Sequence, residues 1–160
     1  MHKRAFSLVE LVMVLLITGI LSIAIINDIA SSLASTNLEV AKWKLITDIH
    51  YAQNLAVTQQ LNHGVIFDPG ASTYSVYSQN TTNIVQDPLT NSPFTVDFAT
   101  DTSFQGVTFT SPTFGNRLEF NNLGEPSDGI TPLASSGTIT LNRGVGSVII
   151  TITRNTGKVQ

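Results

Sequence analysis

One carboxylate stands where carboxylates are rare. Glu10 lies just inside an apolar stretch that carries no other charge from Leu11 to Ile26 and is broken only by Thr18, Gly19 and Ser22. A charged acid in a membrane helix costs roughly 2.5–3.5 kcal/mol at the bilayer centre and less near an end. An acid kept in such a place is expected to meet a partner of opposite charge, because in low dielectric a paired charge is favoured and an unpaired one is costly. Lys3 and Arg4 stand immediately before this stretch.

The remaining chain offers little reactive chemistry. There is no cysteine, which excludes disulfides, thiolate catalysis and Cys-based metal sites. Beyond the leader only His50 and His63 could act as base to a serine, and no serine sits in a G-x-S-x-G elbow. Val145-Gly146-Ser147-Val148 lacks the second glycine, and no glycine-rich phosphate loop appears. Asp97 with Asp101, or Glu119 with Glu125, could form acid pairs, but neither spacing matches a calcium loop, so they read as solvated loop carboxylates. The chain is therefore expected to be no enzyme, with no catalytic residues, metal ligands or cofactor. One cationic group invites a sharper reading. Arg143, Arg154 and Lys158 are close in sequence with no acid after Arg143, and serve either to solubilise the last hairpin or to contact DNA. Three such cations would neutralise about three phosphates, giving weak, salt-sensitive binding.

The elements that would carry these groups follow from composition and pattern. Charged residues make up 12% of the chain, about half the usual share, and the formal net charge is -3. Such a chain is not a nucleic-acid binder by bulk electrostatics. Basic residues ahead of the apolar stretch predict a cytoplasmic N-terminus and an exported C-terminus. Phe6 to Ile26 is long enough for a helix to cross a ~30 Å hydrocarbon core. A secretory signal cleaved at Ser32-Leu33-Ala34, or a plain anchor, would fit that length, but neither has a use for Glu10.

Beyond Asn27 the helix changes character. Leu38, Ala41, Leu45, Ile49, Ala52 and Ala56 recur at three- and four-residue spacing and make one apolar stripe. Glu39, Lys42, Lys44, Asp48 and Gln53 occupy the other faces, and Ser35-Thr36-Asn37 is a weak cap or bend. Trp43 and Tyr51 are expected to cover the edge of a helix–sheet core, and His50 to be a surface or packing residue. Asn62-His63-Gly64 is expected to end the helix, with Gly64 left-handed. Seven strand-like runs follow, at 65–67, 73–77, 94–98, 107–110, 117–120, 138–141 and 148–153, and Asp68-Pro69-Gly70 turns the first onto the second. The fold class is α+β: a long N-terminal helix, transmembrane then amphipathic, packed against an antiparallel β-sheet head.

The leader Lys3-Arg4-Ala5, then Phe6-Ser7-Leu8-Val9-Glu10, then an aliphatic helix resembles the class III leader of type IV pilins and type II secretion pseudopilins. Further on, Asp48-Ile49-His50-Tyr51-Ala52-Gln53 and Leu118 to Gly124 resemble the GspH/FimT group of minor pilins and pseudopilins. So do Gly137 to Leu141 and the closing run from Ile150 to Val159. The resemblance implies cleavage between Ala5 and Phe6 by a prepilin peptidase, N-methylation of Phe6, and assembly through Glu10, which meets the N-terminal amine of a neighbouring subunit. It further implies residence in the bacterial inner membrane as a single pass with the head in the periplasm, then entry into a pilus or pseudopilus. The segments become a leader at 1–5, a membrane and filament-core helix at 6–26, an amphipathic helix at 27–62 and a β-rich head at 63–160. Ala5 replaces the usual glycine before the cut, and Asn27 stands where major pilins often carry a helix-kinking proline. Some FimT-like minor pilins bind DNA for uptake, usually through a denser arginine tail than Arg143, Arg154 and Lys158 provide.

Overall fold

The computed structural model describes the backbone of residues 7–160 and the side chains of residues 7–22 and 35–160. Its first element is one helix, α1 (Leu8–Gln59), whose backbone passes through Asn27, Ser32-Leu33-Ala34 and Ser35-Thr36-Asn37 without interruption. Nothing in those residues forbids it. Asn, Ser and Thr cost less than about 0.7 kcal/mol each in a helix interior, whereas proline costs about 3.

α1 stops at Gln59, and the left-handed residue that follows is Gln60, at φ 57°. Gly64 has a different job from the stop expected of it. It lies in β1 (His63–Asp68), opposite Tyr77 on one side and Glu119 on the other. A Cβ there would collide with the Leu118 carbonyl oxygen and lie 2.6 Å from Tyr77 Oη. Close approach of neighbouring strands, rather than a chain reversal, is what requires glycine here.

The chain divides into two compact units, residues 1–34 and 35–160. The second carries its own core: the buried apolar side chains among the described residues run from Leu38 to Val159. That gives it what an independently folding domain needs. In this unit α1 lays its stripe into the core, with Leu38, Ala41, Leu45, Ile49, Ala52 and Ala56 all buried. Trp43 does not cover the core edge as expected and is 60% exposed. It sits two residues from both Ala41 and Leu45, which turns it about 200° away from the stripe. Tyr51 does pack at the edge, stacked on Phe94 with ring centroids 5.5 Å apart.

Every expected strand appears, and they sort into two antiparallel sheets rather than one. The larger runs β3 (Asn80–Ile84), β2 (Thr73–Ser78), β1, β6 (Arg117–Phe120) and β7 (Pro126–Ser127), with β4 (Thr95–Asp97) pairing β2 beyond β3. The smaller runs β5 (Thr108–Phe109), β8 (Gly137–Arg143) and β9 (Gly146–Ile152). Asp68 makes the β1–β2 turn by accepting from the Gly70 and Ala71 N–H groups. Aromatic side chains join the sheets: Phe67 of β1 meets Phe109 of β5 edge-on at 5.9 Å, and Phe98 meets Phe109 at 6.0 Å. The chain then closes on itself after β9. Thr151 and Gln160 exchange both backbone hydrogen bonds, and Val159 is buried.

Candidate functional site

The first unit is chemically simple. From Leu8 to Leu21 the large aliphatic side chains are exposed on consecutive positions, so all sides of the helix are apolar. A helix hydrophobic all round is one that is buried in something else. Its hydroxyls do not interrupt that surface. Thr18 Oγ1 donates to the Val14 carbonyl at 2.7 Å, and Ser22 Oγ donates to the Thr18 carbonyl at 2.7 Å. Both are satisfied within the helix and turned back onto it. Among the described residues nothing lies within 4 Å of where a Cβ on Gly19 would stand.

Glu10 lies in the first turn of α1, exposed, and among the described residues it has no ion-pair partner. Its position near the helix N-terminus is electrostatically favourable, since the first turn's unpaired N–H groups carry partial positive charge. The processing residues Ala5 and Phe6, and the basic Lys3 and Arg4, lie outside the described residues. Among the described residues no helix is long and apolar enough to cross a membrane. The described side chains of the apolar stretch end at Ser22, before the stretch itself ends at Ile26.

The head holds two buried polar clusters, one around Asp48, expected on an outer helix face, and one around Glu119, expected as a solvated loop carboxylate. Asp48 is buried, accepts from Lys44 Nζ at 2.6 and 2.7 Å, and accepts from Tyr74 Oη at 2.6 Å. Burial pushes its carboxyl above the ordinary value, while Lys44 and Tyr74 pull in the other direction. Glu119 is buried beneath Arg117, with which it forms an ion pair, and accepts from Tyr77 Oη at 3.0 Å and Asn62 Nδ2 at 3.1 Å. Arg117 Nε also donates to Tyr77 Oη at 2.8 Å. Burial raises the Tyr77 phenol beyond its ordinary range. Both clusters are satisfied internally, so they fasten strands and helix together rather than offer reactive groups. The available signals were the Lys44–Asp48 spacing of four and the two tyrosines on β2.

The paired-acid readings do not survive. Asp97 accepts from the Ala99 and Thr100 N–H groups and the Thr100 hydroxyl, and Asp101 caps the short 3-10 turn Thr102–Phe104 through the Ser103 N–H. Glu119 and Glu125 line one cleft of about 400 Å³, but Glu125 is bonded to Asn121 and Glu119 to the cluster above. Among the described residues no group of three or more His, Cys, Asp and Glu is placed to hold a metal ion. His63 is buried with its Nδ1 3.0 Å from the Leu61 carbonyl, and His50 is half-buried.

The three cations do not form one patch. Arg143 ends β8 at the hairpin tip, where it pairs with Gly146, while the other end of the hairpin pairs Gly137 with Ile152. Arg154 therefore lies beyond the far end, roughly 20 Å away at the rise of a strand. There it donates from Nη1 to the Ala134 carbonyl at 3.0 Å. Lys158 follows it on the returning segment. Sequence proximity misled because a hairpin of two seven-residue strands separates Arg143 at its tip from Arg154 beyond its other end.

Residues 1–26 match the prokaryotic N-terminal methylation motif. In three dimensions the chain is similar to the type IV minor pilin FimU of Pseudomonas aeruginosa, at a TM-score of 0.55 and 18% identity over 77% of this chain and 86% of that one. It is similar also to the minor pseudopilin EpsH of the Vibrio cholerae type 2 secretion system, at a TM-score of 0.57 and 11% identity over 78% and 94%. The fold is pilin-like. No curated protein sequence matches the chain. The chain thus shares its fold with a minor pilin and a minor pseudopilin at identities of 18% and 11%.

Proposed function

We propose that this chain is a minor pilin or pseudopilin. It is cut between Ala5 and Phe6 by a prepilin peptidase and methylated at the new amino terminus. The helix over 6–26 holds it in the bacterial inner membrane with the head in the periplasm. It then enters a type II secretion pseudopilus or type IV pilus, at or near the tip. Its work is assembly. Glu10 meets the terminal amine of a neighbouring subunit, and the apolar helix packs among others of its kind.

The observation that carries this reading is Glu10 itself, the lone charge between Leu8 and Ile26 at the apolar start of α1, inside a matched methylation motif. Neither a signal peptide nor a simple anchor uses such an acid. The uninterrupted helix through Ser32-Leu33-Ala34 also gives little support to cleavage there.

Intact mass of the membrane-extracted protein tests it. A methylated chain beginning at Phe6 is expected; a chain beginning at Ser35 would overturn the proposal.

A further inference from the structure

β9 forms one edge of the smaller sheet, and that edge is only partly covered. It pairs with β8 in an uninterrupted register, from Gly146 opposite Arg143 to Ile152 opposite Gly137. In an antiparallel strand the N–H and C=O of one residue point to the same side, and successive residues alternate sides. Thr151 exchanges both of its backbone hydrogen bonds with Gln160, on the side away from β8. Val148, Ile150 and Ile152 therefore bond to β8, while Ser147, Ile149 and Thr151 face the edge. The closing segment takes up Thr151, and the Lys158 carbonyl takes up the Thr153 N–H just beyond it. Among the described residues nothing pairs with the backbone N–H and C=O groups of Ser147 and Ile149.

Exposed strand edges are templates for further pairing, and folded proteins usually blunt them with charge, proline, irregularity or shortness. The other outer strands show these devices. β3 is polar and joins β2 through a register shift, β4 has three residues and ends on Asp97, β5 has two, and β7 has two and begins with Pro126. β9 shows none of them. Its seven residues keep a regular register, no charge falls between Gly144 and Thr153, and Ile149 is 58% exposed. Open backbone groups in alternation call for an extended backbone as occupant. The absence of charge offers nothing for an acidic or basic partner to complement.

β9 is complementary to itself. A two-fold axis beside Val148 sets Ser147 of one copy opposite Ile149 of the other, and the reverse. All of these residues face the edge, so this register lets every open N–H meet an open C=O. It also brings together the two Val148 side chains, which are half-buried in a single copy. The pairing stops where Gln160 already occupies the place opposite Thr151, and past Gly146 the partner strand turns back toward its own β8 at Gly144-Val145. Each β9 uses its edge once, so the contact closes on a dimer and does not propagate.

We propose that two heads associate as a symmetric pair through β9, joining their smaller sheets edge to edge. A contact this small belongs to the weak, transient class. It lies wholly within residues 35–160, so it stands independently of how the N-terminal helix is used.

The chain has no cysteine, so a single introduced one reports the register. Across the axis the two Val148 positions form a non-hydrogen-bonded pair with Cα atoms about 4.5 Å apart, within disulfide reach. The two Ile149 positions stand diagonally, roughly 8–9 Å apart and beyond that reach. In the head, residues 35–160, under mild oxidation, Val148→Cys is expected to give at least about fivefold more disulfide-linked dimer than Ile149→Cys. Random collision would give the opposite order, because Ile149 is exposed and Val148 half-buried. In the unsubstituted head, hydrogen exchange at the Ser147 and Ile149 amides should slow at least about threefold between ~10 µM and ~1 mM protein. The Val148 and Ile150 amides, bonded to β8, should not change. Equal or reversed cross-linking, or exchange at Ser147 and Ile149 that ignores concentration, would each overturn the proposal.

Discussion

The Tyr74 hydroxyl donates to Asp48 Oδ2 at 2.6 Å, tying the start of β2 to the C-terminal part of α1 inside the core. Lys44 reaches the same carboxylate from one helical turn away. Tyr74→Phe removes a hydroxyl from a buried acid and leaves Lys44 as its remaining side-chain partner. The head should lose about 1–3 kcal/mol, read as a lower midpoint in urea with an unchanged slope. An unchanged midpoint would mean the bond contributes nothing net.

Asp48 also gives stability a pH dependence of definite sign. Burial holds its folded carboxyl above the ordinary value of 3.8, so the folded state keeps its proton longer than the unfolded chain does. The resulting stability is fully present below 3.8 and is lost as pH rises through the folded value. Asp97, lowered by the Thr100 hydroxyl and the Ala99 N–H, and Asp128, lowered by the Thr131 and Ile130 N–H groups, act in the opposite sense. Their contributions are present above 3.8 and fade as pH falls. Melting curves of wild type and Asp48→Asn should therefore differ in slope above pH ~4, with wild type losing stability relative to the variant. Parallel profiles would contradict the raised value.

Gly64→Ala places a methyl group against the Leu118 carbonyl oxygen and the Tyr77 hydroxyl. Backbone on a neighbouring strand cannot step aside as a flexible side chain can. A loss of roughly 2–3 kcal/mol is expected from overpacking, measured by thermal or urea unfolding. A change below 0.5 kcal/mol, the scale of ordinary surface substitutions, would show that the sheet relaxes around the methyl.

Gln53 donates from Nε2 to the Gly124 carbonyl and to the Thr156 carbonyl, each at 2.9 Å. One amide thereby pins the loop after β6 and the closing segment of the chain to α1. Gln53→Ala should cost about 1–2 kcal/mol and raise hydrogen exchange in residues 155–160 before it affects β8. Uniform acceleration across the head would instead mean that the closing segment unfolds only with the whole.

Glu10→Ala should leave processing at Phe6 intact and remove the protein from filaments, read by intact mass and by the composition of sheared filaments. Normal incorporation would contradict the role proposed for Glu10.

The pattern of periodicities revealed the helix stripe and all seven anticipated strands, because both are local signals of side-chain alternation. What periodicity could not reveal was which strands pair. Whether 107–110 joins 138–141 or 117–120 depends on contacts such as Phe67 with Phe109, and these have no local signature. The same limit explains Gly64, whose neighbours Leu118 and Tyr77 are distant in sequence. It explains Arg143 and Arg154 too: they are close along the chain, but the length of the β8–β9 hairpin holds them apart in space. Glu10 was legible because its anomaly is one of composition, an acid among aliphatic residues, and needs no tertiary contact to be noticed.

Trp43 is the single tryptophan of the chain and is already largely in water in the native state. Its emission will therefore change little when the core comes apart, and an unfolding transition followed at that wavelength would look faint or absent while circular dichroism records a full one. The indole is badly placed to report on denaturation and well placed to report on anything that covers it. A blue shift in a mixture, with no change in secondary structure, would be the optical signature of an occupied surface.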